Sequence, residues 1–284
     1  MKHIDKINSP FRAEGLKYNR EILKGQWSVD EGRYFNLNYK DIPSKTSLYG
    51  PIFAEQEGLC CYCMRRLRLE IPSNFTLEHI VPNKITGVEW ERDKAKYKQY
   101  HNLQPQNITV CPKDAPLDRT VAFGMPPFPH FIAYDNLVGS CDGRTLTKEG
   151  KEIGQQCCNN YRGNVYIEPL YLRTGVAEEI DYDNQGRVIC AEEYVASLDK
   201  NGVNIMSPFL NSVRRFWRMI EESEYSVEDV MNAKEDAGLR QNIIDDIFVA
   251  DTSEAFLAED YAWDRYAEFD WFYEFYHAKR MTQD

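Results

Sequence analysis

The clearest alternation of apolar and polar positions in this chain is helical and lies in its last third. Leu210, Val213, Trp217 and Ile220 recur at steps of three and four residues, the period that lines one face of an α-helix. Ser207 and Pro208 stand just before them, a hydroxyl suited to capping a first turn and a ring whose fixed φ suits the first helical position. Ser226 with Asp229 three residues on is a weaker form of the capping box and predicts a second helix start. The segment AEDYAWDRYAEFDWFYEFYHAKR, dense in aromatics interleaved with acids, has two readings: a helix packed on its own domain, or a docking surface for another protein, since aromatic residues are enriched at interfaces. A period of two appears in Leu77-Glu78-His79-Ile80-Val81-Pro82. It predicts a short strand that places Glu78 and His79 on opposite faces unless the strand ends or bulges there.

Elsewhere the pattern is broken, and the breaks divide the chain. Residues 1–50 show no sustained period and read as a lead-in that packs on the core. Residues 51–175 carry most of the Cys and His groups, with Gly and Pro punctuation suited to short strands and loops. Within them, 83–133 reads as an insertion: a charged helical portion, ERDKAKYKQYHN, then a Pro-rich portion around Met125-Pro126-Pro127-Phe128-Pro129 that cannot be helical. Residues 176–284 read as mainly helical, so the predicted class is α+β.

Charge changes this picture more than composition does. The net charge is −11, unfavourable for a chain that grips phosphates through Lys and Arg. From residue 201 onward, however, 8 basic residues face 18 acidic ones, a net of −10, so the first 200 residues are close to neutral. The acidic part would repel nucleic acid unless a basic partner covers it. No apolar run of about 18 residues occurs, and MKHIDKINSPFRAEG has no apolar segment after its charges, so neither a membrane span nor a secretory signal is predicted. The expected location is the cytoplasm, where thiols stay reduced and clustered cysteines bind metal more often than they form disulfides.

Eight cysteines are present. Cys60 and Cys63 form a C-x-x-C pair, which brings two sulfurs to one tetrahedral Zn²⁺ at roughly 2.3 Å. Cys141 and the adjacent Cys157 and Cys158 offer the remaining thiolates. Cys61 and Cys190 read as small buried hydrophobes and Cys111 as part of the insertion. His79, with an unperturbed pKa near 6.5, suits a hydrolytic base, and the neighbouring Glu78 suits a hard cation. Arg65, Arg66 and Arg68 read either as a solvated face or as phosphate contacts.

The motifs CCYC at 60–63, LEHIVP at 77–82, NLVGSC at 136–141 and CCNNYRG at 157–163 resemble, in that order, the HNH endonuclease (His-Me finger) superfamily. The resemblance covers about a third of the chain. It implies a zinc-braced ββα-metal core with a mainly helical C-terminal region, with Cys60, Cys63, Cys141 and Cys158 holding structural Zn²⁺. It implies His79 as general base, Asn136 as the residue fixing the loop that carries the base, and Glu78 and Asn159 as ligands of a catalytic Mg²⁺ or Mn²⁺. Arg162 would then meet a phosphate, as would Arg65 and Arg66. Cys158 is preferred over Cys157 because Asn159 and Arg162 then take the family's spacing. His101-Asn102 competes with Asn136 for the second motif, but Asn136 leads directly into Cys141. With MKHIDKINSP, GLCCYCMRRL and YDNLVGSCDG added, the arrangement is similar to PtuB-type nucleases of Septu and retron anti-phage systems. That implies a PtuA-like ABC-type ATPase partner and a nucleic-acid substrate, DNA before RNA. Two rival expectations stand beside it: an RNase acting on cellular tRNA, and a zinc-stabilised binding module without catalysis.

Overall fold

The computed structural model describes residues 1–28, 33–34, 39–41, 44–71, 74–100, 103, 106–114, 126–144, 156–163, 165–248, 257 and 260–282. His101, Asn102 and Met125 lie outside these residues. In chain order the elements are α1 (Arg12–Lys24), β1 (Trp27–Ser28), β2 (Arg33–Tyr34), α2 (Tyr49–Glu55), β3 (Thr76–His79), α3 (Gly87–Lys98), β4 (Ile108–Thr109), β5 (Phe128–Pro129), β6 (Leu137–Ser140) and α4 (Cys158–Arg162). They continue with α5 (Val176–Glu179), β7 (Asp181–Tyr182), β8 (Val188–Ile189), α6 (Glu192–Leu198), α7 (Pro208–Glu221), α8 (Val227–Asn232), α9 (Ala237–Phe248), α10 (Asp260–Ala267) and α11 (Trp271–Met281). The class is α+β, and every described sheet is a two-stranded pair.

By internal contacts the chain divides into two units. The first is Met1–Cys61, Leu67–Asp142 and Arg162–Val176, and the second is Tyr62–Arg66, Gly143–Tyr161 and Ala177–Asp284.

The first unit is organised around the antiparallel pair β3–β6, in which Thr76 faces Ser140, Glu78 faces Val138 and His79 faces Leu137. Gly139 is required in this pair, because a Cβ there would stand 2.5 Å from the Phe75 ring. Gln56, just after α2, clamps the same residue: its Nε2 donates to the Gly139 carbonyl (2.9 Å) and its Oε1 accepts from the Gly139 amide (2.5 Å). In the same unit the N-terminal segment is fastened by a buried Lys6–Glu55 ion pair of 2.6 Å. The Tyr134 hydroxyl also donates to Glu55, at 2.6 Å, so the buried carboxylate is matched by two donors. The charged helix expected in the insertion is α3. Thr86 and Glu89 cap its first turn reciprocally, a signature that ends two residues before the charged run.

In the second unit α7 begins as predicted, with Ser207 Oγ accepting from the Leu210 amide and Pro208 in the first turn. Leu210, Val213, Trp217 and Ile220 are all buried. The Ser226–Asp229 box starts α8. Within the aromatic-acidic segment Trp263, Tyr266, Phe269, Phe272 and Tyr276 are buried, which is the arrangement of a segment packed on its own unit. Two indole N–H groups find backbone carbonyls there, Trp217 on Tyr266 and Trp263 on Val230, both at 2.8 Å. No described helix is long and apolar enough to cross a membrane.

Candidate metal centre and strand-end cluster

Four thiols converge: the Sγ atoms of Cys60, Cys63, Cys141 and Cys158 all lie within 4.8 Å of one another, and all four residues are buried. The backbone that presents them is specialised. Met64 (φ 63) and Cys158 (φ 56) are non-glycine residues in the left-handed region, a strain of the kind that surrounding structure must impose. The Cys141 amide points at Cys60 Sγ at 3.4 Å, and the Cys158 amide is held by the Val203 carbonyl at 2.8 Å. Tetrahedral Zn²⁺ with 2.3 Å bonds separates its sulfurs by about 3.8 Å. The quartet therefore fits zinc with a small contraction, and an all-sulfur donor set suits zinc over a hard cation. Cys157 stands beside the quartet, its Sγ 3.5 Å from Cys158 Sγ and 3.6 Å from the Gly143 carbonyl. Burial, with Cys60 beside it, pushes the Cys61 thiol well up, so Cys61 remains a protonated neighbour.

His79 is the last residue of β3, where the strand ends. Its Nε2 lies 3.0 Å from the Phe131 carbonyl. A carbonyl only accepts, so Nε2 carries the proton and Nδ1 is left as an acceptor. Burial brings the His79 pKa down to about 4, partly offset by the Phe131 contact, so the ring is neutral at pH 7. The edge of Tyr39 packs on it, with ring centroids 4.8 Å apart.

Immediately after His79 the chain is pinned by Asn136, which is fully buried. Its Oδ1 accepts from the Val81 amide (2.8 Å), and its Nδ2 donates to the carbonyls of Val81 (3.1 Å) and His130 (2.7 Å). The Asn136 carbonyl also accepts from the Ile80 amide, at 3.0 Å. Asn159 is the second residue of α4 and is half-buried.

The arginines differ from expectation. Arg162 does not face open solvent where a phosphate could reach it: it is 2% exposed and forms an ion pair with Glu78. Its Nη1 also donates to the His79 carbonyl (2.5 Å), Nη2 to the Ile80 carbonyl (3.0 Å) and Nε to the Val165 carbonyl (3.1 Å). Burial raises the Glu78 pKa to about 7 against the opposing pull of Arg162. Arg65 is likewise buried, with Nε on Glu268 at 2.7 Å, and Arg66 Nε meets Asp270 at 2.6 Å. Acids of the last third thus neutralise the arginines that follow Cys63. The buried Arg65 guanidinium needs such a counter-charge, and the more exposed Arg66 side chain likewise meets a protein carboxylate.

Sequence reasoning passed over His130, which is fully buried beside the cluster. Its Nδ1 accepts from the Cys111 amide (3.2 Å), and its Nε2 lies 3.3 Å from the Pro82 carbonyl. Both nitrogens are committed in the neutral tautomer, and burial brings the pKa down to about 3. The only local signal is a polar residue in the apolar run FPHFIAY. The native state therefore binds fewer protons here than the unfolded chain, so stability is full above pH 6.5 and falls as pH drops toward 3. By pH 5 the expected loss from His130 is about 2 kcal/mol. Thermal melts of wild type and His130→Gln between pH 7.5 and 5 should show a shallower decline in the variant; parallel declines would place the acid sensitivity elsewhere.

No protein-family model matches this chain, and no curated protein or solved structure is significantly similar to it.

Proposed function

We propose that this chain is an HNH-type endonuclease that hydrolyses phosphodiester bonds of nucleic acid, DNA before RNA. The observation that carries the reading is the bracing of residues 79–81. A neutral histidine ends one strand of an antiparallel pair, and Asn136, one residue before the partner strand, holds the next turn of chain by side-chain and backbone hydrogen bonds. A short helix carrying Asn159 follows in sequence. Strand, strand and helix in that order, beside a buried quartet of thiols, support a zinc-braced ββα-metal core. In this mechanism Nδ1 of His79 takes a proton from water as the water oxygen bonds to phosphorus and the bond to the departing sugar oxygen breaks. The Mg²⁺ or Mn²⁺ that the family resemblance implies does not fit Glu78 as it stands, because Arg162 already occupies that carboxylate. A PtuA-like ABC-type ATPase is the partner proposed with this reading, and it rests on the sequence resemblance.

The competing reading, a zinc-stabilised binding module, draws on the burial of His79 and the engagement of Glu78 by Arg162. Cleavage of plasmid DNA and total tRNA in Mg²⁺ or Mn²⁺ separates the two, with wild type beside His79→Ala and each protein tested with and without the ATPase. Cleavage by wild type that is lost in the variant is the expected result. Absence of His79-dependent cleavage of both polymers, with zinc and fold retained, would leave the binding module.

A further inference from the structure

Three oxygens converge on the terminal nitrogens of one guanidinium: a Glu78 carboxylate oxygen and the His79 carbonyl on Nη1, and the Ile80 carbonyl on Nη2. These are hard oxygen donors, the kind that Mg²⁺ and Mn²⁺ prefer over nitrogen and sulfur. The group filling the cradle carries a permanent positive charge and has no acceptor to offer a metal. A divalent ion placed on the same carboxylate oxygen would stand within a few ångströms of that charge, in surroundings where Glu78 is 5% exposed and little water screens the repulsion.

We propose that Arg162 and a divalent cation are mutually exclusive partners of the Glu78 carboxylate, so that metal loads this site only when the Arg162 guanidinium leaves it. The inference deepens the endonuclease reading and rests on it only in taking Glu78 as the carboxylate that the metal uses. Arg162 is the last residue of α4, and Gly163 follows it in the left-handed region at φ 60. The protein folded without a divalent ion is thus a closed form, with its own cation on the acidic residue beside the base. Anything that draws Arg162 away, a phosphate of the substrate included, would favour metal entry, by the linkage that couples any two ligands of one equilibrium.

The test is Mn²⁺ binding to the full-length, zinc-loaded protein, followed by the electron paramagnetic resonance signal of free Mn²⁺. Mn²⁺ is too hard to compete for the thiol quartet. Arg162→Gln is expected to bind Mn²⁺ at least tenfold more tightly than wild type, and the gain should vanish in the Glu78→Gln, Arg162→Gln double variant. A folded, zinc-replete Arg162→Gln that binds no more tightly overturns the proposal, as does a gain that survives in the double variant. Arg162 also ties three backbone carbonyls, so a second measurement uses wild type alone. Phenylglyoxal labelling of Arg162, read by peptide mass spectrometry, should rise at least fivefold on adding millimolar Mn²⁺, and an unchanged rate overturns the proposal. Neither readout uses cleavage. Metal competition without cleavage would sink the endonuclease reading alone, and cleavage without competition would sink this inference alone.

Discussion

Cys141→Ser is expected to release the bound zinc and to lower the melting temperature by roughly 10–20 °C. The four sulfurs stand within 4.8 Å of one another in a buried site, and the binding energy of a structural zinc, about 10–16 kcal/mol in peptide sites, is folding energy. A serine hydroxyl does not ionise near pH 7, so the variant keeps three thiolate ligands and a poor fourth. A net loss of about 5 kcal/mol corresponds to the stated shift at a few degrees per kcal/mol for a chain of this size. The Cys141 amide directed at Cys60 Sγ would add to the loss, because a charged acceptor strengthens such a bond. Zinc released on digestion, measured with a chromogenic chelator, and thermal unfolding followed by circular dichroism check both halves. Cys157→Ser is the control: its thiol faces the Gly143 carbonyl, so zinc content should hold and the melting temperature should move by no more than a few degrees. Stoichiometric zinc and an unchanged melting temperature in Cys141→Ser would remove the metal centre from the account.

What could be read from the sequence was what local chemistry encodes. The helix α7 was legible because its cap, its proline and its apolar period are all within fourteen residues of one another. The thiol quartet was legible because cysteine pairs at such spacing have few other uses in a reduced chain. The strand β3 was half legible: alternation predicted 77–82, whereas pairing ends at His79. Beyond it the chain turns to bond Asn136 instead of continuing the ladder. Its partner β6 gives no alternation at all, because Leu137, Val138, Gly139 and Ser140 are all buried, and a strand covered on both faces has no period of two to detect. The Gln56 clamp on Gly139 and the Arg162–Glu78 pair join residues 83 and 84 positions apart, and no local pattern announces such a partner. From sequence Arg65 and Arg66 read either as a solvated face or as phosphate contacts, and Arg162 as the phosphate contact that the resemblance implies, while in the fold carboxylates of the same chain hold all three.

Asn136→Ala should cost about 3–5 kcal/mol and, on the endonuclease reading, slow cleavage beyond what that loss explains. Three buried groups lose their partner at once: the Val81 amide its acceptor at 2.8 Å, and the carbonyls of Val81 and His130 their donors at 3.1 and 2.7 Å. An orphaned buried polar group costs about 1–3 kcal/mol, and the alanine side chain leaves little room for a bridging water to replace all three. The effect is local in a way that can be measured. Hydrogen exchange at the Val81 amide should accelerate more than exchange at Val138 in the paired strand, because only the former loses its own acceptor. On the endonuclease reading the consequence reaches His79, two residues upstream: a base displaced by about 1 Å loses on the order of a hundredfold in rate. The expected pattern, measured well below the melting temperature of the variant, is a large fall in kcat with KM nearly unchanged, since substrate binding does not run through Asn136. A variant that is destabilised as stated but cleaves at the wild-type rate would show that Asn136 holds the fold without setting the position of the base, and the bracing of residues 79–81 would then no longer support catalysis by His79.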